Sequence, residues 1–218
     1  MDFQFDIFIE SFPTLVKGAV LTVELTVISV VLGLIIGLIG ALGRVSRNRL
    51  LRAVTICYIT LMRAVPLLLT LMFLYYGLPS AGIDLSAFAI AIIALSVTNG
   101  AYVTEIIRAG IESIDPGQMR GARSLGMSYS LAMRRIILPQ VVRRVLPPIT
   151  NEAITLLKST ALVSTIALSD LLRSGLEVMT WKANTFSPFA GVALIYLLLT
   201  LPLIWVLGRL EKKFSVPT

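Results

Sequence analysis

Five long stretches of mostly apolar residues divide the chain. The clearest, residues 25–43, contains no charged residue over 19 positions, close to the ~20 residues that a helix needs to cross ~30 Å of hydrocarbon. The pattern predicts further spans at about residues 53–78, 85–104, 145–168 and 189–207. It therefore predicts an all-α integral membrane protein with five transmembrane helices, forming one domain over residues 1–218.

Charged residues and prolines interrupt two of these spans. Arg63 and Pro66 lie within the second, and a kink or break is predicted there because proline removes a helical hydrogen bond. The fourth contains two prolines, Glu152 and Lys158. Since charged groups are costly in lipid, the fourth span is not expected to face lipid on all sides.

The first span and the segments outside the membrane also carry a pattern. Gly33, Gly37 and Gly40 fall on one face of the first span, which favours close approach of another helix.

Residues 1–10 mix aromatic and acidic side chains and are predicted to lie on the outer surface rather than to form a signal peptide. Residues 169–187 are predicted to form a polar outer segment.

The composition excludes a soluble fold. Hydrophobic residues make up 56% of the chain and charged residues 14%, and the mean hydropathy is +0.89, whereas soluble domains carry about a quarter charged residues. The single cysteine, Cys57, excludes an intrachain disulfide and is expected to be buried.

Lysine and arginine are distributed unevenly among the loops. Residues 44–52 contain four, residues 108–144 seven and the C-terminal tail three, against Lys17, Arg173 and Lys182 on the other side. The positive-inside rule then predicts that the N-terminus is outside and that the central loop and C-terminus are cytoplasmic. This topology explains the net charge of +7 without nucleic acid as a partner.

Polar side chains form stripes on the third and fourth spans. At ~100° per residue, one side of the third span carries Thr98, Asn99, Tyr102 and Glu105. The stripe on the fourth span consists of Asn151, Glu152, Thr155, Lys158 and Ser159. Because polar and ionisable residues inside a membrane mark functional sites, the two stripes are predicted to line one cavity.

The loop between these spans, residues 115–148, is basic and interrupted by glycine. Asp115 and Pro116 are typical of a helix start, and Gly126 is predicted to end that helix. A second helix at about residues 129–137 is predicted to return the chain to the membrane at Leu138 and Pro139. Both an amphipathic helix resting on anionic lipid and a docking site for a partner protein account for this pattern.

Gly126 is followed after nine residues by Ile136-x-Leu138-Pro139 and is preceded by the small pair Gly121-Ala122. This spacing resembles the cytoplasmic "EAA" loop in membrane subunits of ATP-binding cassette importers, in which a short helix inserts into a cleft of the ATPase. Residues 63–69, 101–118 and 147–164 resemble the polar amino acid uptake branch of that family. Arg120 and Gly121 depart from the family motif, which has Glu and Ala at those positions.

The resemblance implies the transport subunit of an ATP-driven amino acid importer in a bacterial cytoplasmic membrane. Its implied partners are two ATPase subunits, an identical or homologous second permease chain and an extracytoplasmic solute-binding protein. The loop of about residues 115–139 is expected to contact the ATPase through Arg120, Gly121, Ala122, Arg123, Leu125, Gly126, Ile136, Leu138 and Pro139. The family's substrate site corresponds to Thr98, Glu152, Lys158 and Ser159, and the polar stripes add Asn99, Tyr102, Asn151 and Thr155.

Glu152 and Lys158 complement the ammonium and carboxylate groups of an amino acid, although an ion pair between them is the structural alternative. Arg63, Glu105 and Arg108 are interpreted as groups that join helices or gate the pathway. Ser159 occupies a position that is often acidic in the family. A polar uncharged or acidic amino acid is therefore favoured over a basic one.

The sequence contains no histidine, no phosphate-binding loop and no metal-ligand cluster. We therefore expect no cofactor and no catalysis, and ATP hydrolysis must come from a partner. One alternative is an ion-coupled secondary carrier that works alone, for which inverted repeats and a proton relay are missing. Another is a membrane anchor that only recruits a partner, which the polar stripes disfavour.

Overall fold

The computed structural model describes residues 3–214 and, within them, consists of helices joined by short loops, with no β-strand. The predicted all-α fold class is confirmed. The helices are α1 Phe5–Arg44, α2 Arg49–Ala64, α3 Leu67–Ser80, α4 Ala87–Glu112, α5 Pro116–Ser124, α6 Tyr129–Ile166, α7 Leu171–Lys182 and α8 Phe186–Phe214.

Three of these helices, α1, α4 and α8, are long and apolar enough to cross a membrane alone. The α2–α3 pair is bent by 101° and the α6–α7 pair by 50°, and each pair has the apolar length of one further span. Counting each pair once gives the five predicted spans. The predicted break in the second span lies where expected, because Val65 is extended (φ −89°, ψ 129°) and Pro66 precedes α3.

Within the described residues, which exclude Met1 and Asp2, the N-terminal segment predicted to lie on the outer surface is the beginning of α1, and its location relative to the membrane stays a prediction. α1 begins at Phe5 and continues without a break through the first span. Ser11 and Leu15 are buried, and Glu10 accepts a hydrogen bond from Lys182 Nζ at 2.7 Å. The acidic and aromatic residues therefore extend the helix because they have partners in α7 and α8.

Two other elements are longer than their apolar runs predicted. α4 continues past residue 104 to Glu112, because Arg108 pairs with Glu105 at 2.5 Å and also with Glu112 on the same helix. The predicted polar outer segment folds into α7, which Asp170 caps by accepting hydrogen bonds from the backbone amides of Leu172 and Arg173.

The predicted return to the membrane as a separate helix at Leu138 and Pro139 is also wrong. α6 runs continuously from Tyr129, with one wider, π-helical turn at Met133–Ile137 and a 3₁₀ turn at Thr160–Ile166. A π-turn is a frequent way to insert a residue into a helix. Here it immediately precedes Pro139, so the helix passes the proline without ending.

α1 packs closely against α4 through the predicted glycine face. A Cβ added at any of these glycines would lie within 2.5 Å of a side chain of α4. The neighbours are Asn99 for Gly33, Val103 for Gly37 and Thr104 for Gly40. The hydroxyl of Thr104 also donates to the backbone oxygen of Gly37 at 3.3 Å, so the predicted close approach is confirmed.

A buried apolar cluster joins four helices beside this contact. It contains Leu25 of α1, Leu71 of α3, Leu95 of α4 and Val163 of α6, all fully buried. Leu156 also belongs to the cluster, and Leu67 packs against its edge. The cluster therefore holds α3 against α4 and α6.

We expect Gly37→Leu to destabilise the protein by about 1–3 kcal/mol, because overpacking forces side chains and backbone apart. The added Cβ would lie 2.4 Å from Val103 Cγ1. Gly208→Leu is the matched control, since nothing lies within 4 Å of a Cβ there. Thermal unfolding of the purified protein in detergent measures both variants, and equal midpoints would contradict the close packing.

Candidate functional site

A cavity of about 390 Å³ lies between the α2–α3 break, α4 and α6. Six of the eight predicted substrate-site residues line it, namely Thr98, Asn99, Tyr102, Glu152, Thr155 and Ser159. The remaining wall is formed by residues 63–67 and Leu156. Its volume lies within the ~300–1,000 Å³ typical of small-molecule sites.

Glu152 is held in the cavity by α4. Its Oε1 accepts a hydrogen bond from Asn99 Nδ2 at 3.5 Å. Asn99 is 2% exposed, and its Oδ1 faces Gly33 of α1. The orientation of the carboxylate therefore depends on the contact between α1 and α4.

Thr98 gives the cavity wall an unsatisfied polar group. Its Oγ1 is buried and has no hydrogen-bond partner within residues 3–214. A buried polar group without a partner costs about 1–3 kcal/mol. A polar ligand in the cavity is one partner that would remove this cost.

Asn151 and Lys158, the other two predicted site residues, do not line the cavity and are exposed. At ~100° per residue, both lie about 100–120° around α6 from Glu152, whereas Ser159 lies only about 20° from it. The predicted stripe is therefore wider than the part that faces the cavity. In the described part of the chain no ion pair joins Glu152 to Lys158.

Arg63 lines the cavity, although the sequence pattern did not place it in the site. Its guanidinium carbon lies 5.5 Å from the centre of the Tyr102 ring. The sequence did contain a feature that indicates Arg63 as a site residue, because an arginine three residues before a proline is unusual in an apolar run. The pattern did not reveal that the break turns this residue towards the two polar stripes.

The loop that follows α4 is built as predicted at its first helix. Asp115 caps α5 by accepting a hydrogen bond from the Gly117 amide at 2.5 Å. Gly126 has a φ of +83°, a conformation that glycine adopts at low cost. Ser128 then caps α6 by accepting from the Leu131 amide at 3.2 Å.

The predicted docking residues differ in exposure. Leu125 is 84% exposed, and Gly121 has open space around it. Arg120, Arg123, Gly126, Leu138 and Pro139 are also exposed, whereas Ile136 is half-buried. Ala122 is 3% exposed and packs against the rest of the chain, and its contact with a partner stays a prediction. Since α5 packs against the start of α6, only its outer side is accessible.

The loop is fixed to the helices that line the cavity. Ile114, Ile137, Val141 and Val145 form a buried apolar cluster beneath it. The Arg144 guanidinium of α6 donates to the backbone oxygen of Ser113 and, at 2.9 Å, to its hydroxyl. These contacts connect the loop directly to α4 and α6.

We expect Arg144→Ala to loosen the loop, because the cross-link to Ser113 is lost. A typical hydrogen bond contributes about 0.5–1.5 kcal/mol, so amide hydrogen exchange over residues 113–128 should become about 2- to 10-fold faster. Arg143→Ala is the control, because the neighbouring Arg143 side chain is exposed and, within residues 3–214, forms no hydrogen bond to Ser113. Identical exchange in the two variants would contradict a role for Arg144 in fixing the loop.

Comparison with known proteins identifies relatives over nearly the whole chain. Residues 29–216 match the family described as binding-protein-dependent transport system inner membrane component. The arginine transport system permease protein ArtQ of Bacillus subtilis (strain 168) is 36% identical over 216 residues, 99% of each chain. The glutamine transport system permease protein GlnP of Escherichia coli (strain K12) is 32% identical over 218 residues, 99% of this chain and 100% of that one.

Solved structures share the fold. An amino acid ABC transporter crystallised with histidines superposes with a TM-score of 0.93 at 37% identity, covering 98% of this chain and 100% of that one. The MetNI methionine ABC transporter in inward-facing conformations gives a TM-score of 0.77 at 20% identity, covering 93% and 96%. The second similarity concerns the fold alone.

Proposed function

The chain belongs to the family of binding-protein-dependent transport system inner membrane components, and we propose that it is the membrane subunit of an ATP-driven amino acid importer. The observation that carries this proposal is the polar cavity between α4 and α6, lined by Glu152 and by hydroxyl and amide side chains. Relatives named as arginine and glutamine permeases support the substrate class.

In the proposed mechanism, the substrate ammonium group binds to the carboxylate of Glu152, which Asn99 orients. The hydroxyl group of Thr98 has no partner within residues 3–214. Those of Thr155 and Ser159 donate to backbone oxygens of α6 and can still accept hydrogen bonds from the substrate. Burial in the cavity strengthens these contacts, because the effective dielectric constant there is lower than in water.

Transport requires that the cavity open alternately to the two sides of the membrane. The loop at residues 115–139 is proposed to dock on an ATPase subunit through the exposed side of α5, near Leu125 and Gly126. Closure of two ATPase subunits would move this loop, and the links to α4 and α6 would carry the movement to the cavity. ATP hydrolysis occurs in the partner subunits in this proposal.

The complete transporter is proposed to contain a second permease chain, identical or homologous, and an extracytoplasmic solute-binding protein. The chain is a multi-pass membrane protein of the inner membrane. Its proposed orientation has the N-terminus outside and the loop of α5 and the C-terminus in the cytoplasm, since the basic residues concentrate there.

The charge of the cavity favours a substrate without a basic side chain. Glu152 is the one carboxylate among the described residues that line it, and Ser159 is uncharged. If Glu152 binds the ammonium group, no second carboxylate remains for a basic side chain. A polar uncharged or acidic amino acid is therefore the proposed substrate.

Uptake by the complete complex reconstituted in liposomes tests the function and the substrate class. With ATP, we expect uptake from a panel of L-glutamine, L-glutamate, L-histidine, L-arginine and L-lysine to favour the first two. Ser159→Asp should shift the preference towards arginine and lysine, because it adds a negative charge to the cavity wall. Strong arginine or lysine uptake by the unmodified protein would contradict the substrate class, and absence of ATP-dependent uptake would contradict the function.

The docking role of the loop predicts the behaviour of Gly126→Asn. Asparagine tolerates a positive φ, and nothing lies within 4 Å of a Cβ at Gly126, so the chain itself should fold normally. The added side chain should obstruct docking and therefore weaken ATPase co-purification or lower the amount of amino acid transported per ATP. Ala81→Asn, in the α3–α4 loop, is the control. Normal uptake and coupling in Gly126→Asn would contradict docking at this turn.

The orientation predicts which introduced cysteines react with a membrane-impermeant thiol reagent added outside cells. The background is Cys57→Ser, because Cys57 is exposed rather than buried as expected. Ala81→Cys should be labelled and Ser130→Cys should not. Ala81 is a better position for cysteine than the neighbouring Gly82, because Gly82 has a φ of +77°, which a cysteine would adopt only with strain. The reverse labelling would place the basic loops outside.

A further inference from the structure

An apolar groove of about 480 Å³ lies between α1 and α2, beside the basic loop that joins these two helices. Residues 36–43 of α1 form one side of it and residues 51–58 of α2 the other. The lining consists of Ile36, Ile39, Gly40, Leu42, Gly43, Leu51, Val54, Thr55 and Tyr58. Among the described residues, none lines both this groove and the polar cavity.

The two hydroxyl groups in the groove donate their hydrogen bonds to backbone oxygens. Thr55 Oγ1 donates to Leu51 at 2.9 Å, and the Tyr58 hydroxyl donates to Val97 of α4 at 2.6 Å. The other lining side chains are apolar, and Ile39 and Leu42 remain largely exposed. The surface of the groove therefore suits an apolar ligand.

The length of the groove matches one leaflet of a bilayer. From Ile36 to Gly43, α1 rises by about 10 Å at ~1.5 Å per residue, and half of the hydrocarbon core measures about 15 Å. A hydrocarbon chain in the groove would contact two helices instead of one, which adds dispersion contacts on its second side. An acyl chain of a lipid in the leaflet next to the loop therefore fits.

The loop beside the groove carries a concentrated positive charge. Residues 43–52 contain four arginines and no acidic residue. These are Arg44, Arg47, Arg49 and Arg52, of which all except Arg44 are exposed. Within residues 3–214 none of the four forms an ion pair. Basic residues immediately next to a membrane span attract anionic lipid headgroups.

We propose that the groove and its loop bind a phospholipid with an anionic headgroup. One acyl chain lies between α1 and α2, and the headgroup contacts Arg47 and Arg52. Arg52 directly follows Leu51 of the groove, and Arg47 lies in the connection between the two helices. A guanidinium binds phosphate oxygens through two parallel hydrogen bonds. This inference does not depend on which substrate the protein transports.

Other occupants match only part of this surface. A second copy of the chain, seated symmetrically on the groove, would bring two sets of arginines together, and like charges repel. Free phosphate or an acidic protein would match the arginines but would leave the apolar groove empty. A phospholipid matches both, because its charged and apolar parts lie next to each other.

The test is a lipid titration of the complete complex in detergent, without ATP or amino acid, followed by native mass spectrometry. The probes are phosphatidylglycerol and phosphatidylcholine with identical acyl chains. One arginine near the membrane surface contributes about fivefold to the binding of an anionic lipid. Three exposed arginines should therefore give the unmodified complex a preference of about 100-fold for phosphatidylglycerol.

The double variant Arg47→Gln, Arg52→Gln should lower this preference to about fivefold, because one exposed arginine of the loop remains. The matched control is Arg209→Gln, Lys213→Gln. It removes two exposed charges from the end of α8, outside the lining of the groove, and should keep the preference of the unmodified complex.

A second variant tests the apolar part of the site. Val54→Trp places a larger side chain in the groove and should weaken the binding of both phospholipids by about tenfold while their ratio stays the same. Val20→Trp is its control, because Val20 of α1 is 62% exposed, close to the 58% of Val54, and does not line the groove.

An equal loss of preference in the two charge variants would overturn the inference in favour of general surface charge. Unchanged binding in Val54→Trp would overturn the role of the groove. Displacement of phosphatidylglycerol by an equal concentration of glycerol 3-phosphate would overturn it in favour of a simple anion site. Binding to the isolated chain but not to the complete complex would show that another subunit covers the groove, and would overturn it as well. Uptake assays play no part in these measurements, so a failure of the proposed function is detected separately.

Discussion

The close contact between α1 and α4 determines where the polar groups of the bundle lie. Glycine at positions 33, 37 and 40 allows the two helices to approach until side chains of α4 touch the backbone of α1. Lipid tails are as apolar as these side chains, so the hydrophobic effect contributes little to helix association in a membrane. Close backbone contact is therefore a main source of helix association there. The polar face of α4 is thereby turned towards α6 and the α2–α3 break.

The cavity and the loop are two ends of the same pair of helices. α4 carries Thr98 and Asn99 at the cavity and ends near Ser113, which Arg144 of α6 binds. α6 carries Glu152 and begins under α5. Both helices therefore connect the cavity to the loop. The wider turn at Met133–Ile137 lies on the loop side of this connection.

The sequence predicted those features that depend on periodicity alone. Apolar length predicted the five spans, helical spacing predicted the polar stripes, and residue preferences predicted the start of α5 and the turn at Gly126. Predictions failed where tertiary partners decide the outcome. α1 begins early because Glu10 pairs with Lys182, 172 positions away along the chain, and no local pattern contains that information. The extension of α4 differs, because Arg108 pairs with Glu105 and Glu112 at the local spacings of three and four residues.

The candidate site was predictable in part for the same reason. Spacing placed Thr98, Asn99 and Glu152 on facing sides of two helices, and the cavity contains them. Spacing did not determine how much of the α6 stripe faces inwards, and so it included Lys158. It also did not give the direction of the chain after Val65, which depends on how α3 packs against α4 and α6.

The position of Asn99 limits how the site can change. Its Nδ2 orients Glu152 while its Oδ1 lies where a Cβ on residue 33 would stand, 2.0 Å away. A larger residue at position 99, or any side chain at position 33, would therefore disturb helix packing and carboxylate orientation together. Thr155 and Ser159, at the more open rim of the cavity, carry no such double constraint. In related proteins, substitutions that change substrate selectivity should therefore accumulate on α6, while the residues of the α1–α4 contact stay the same.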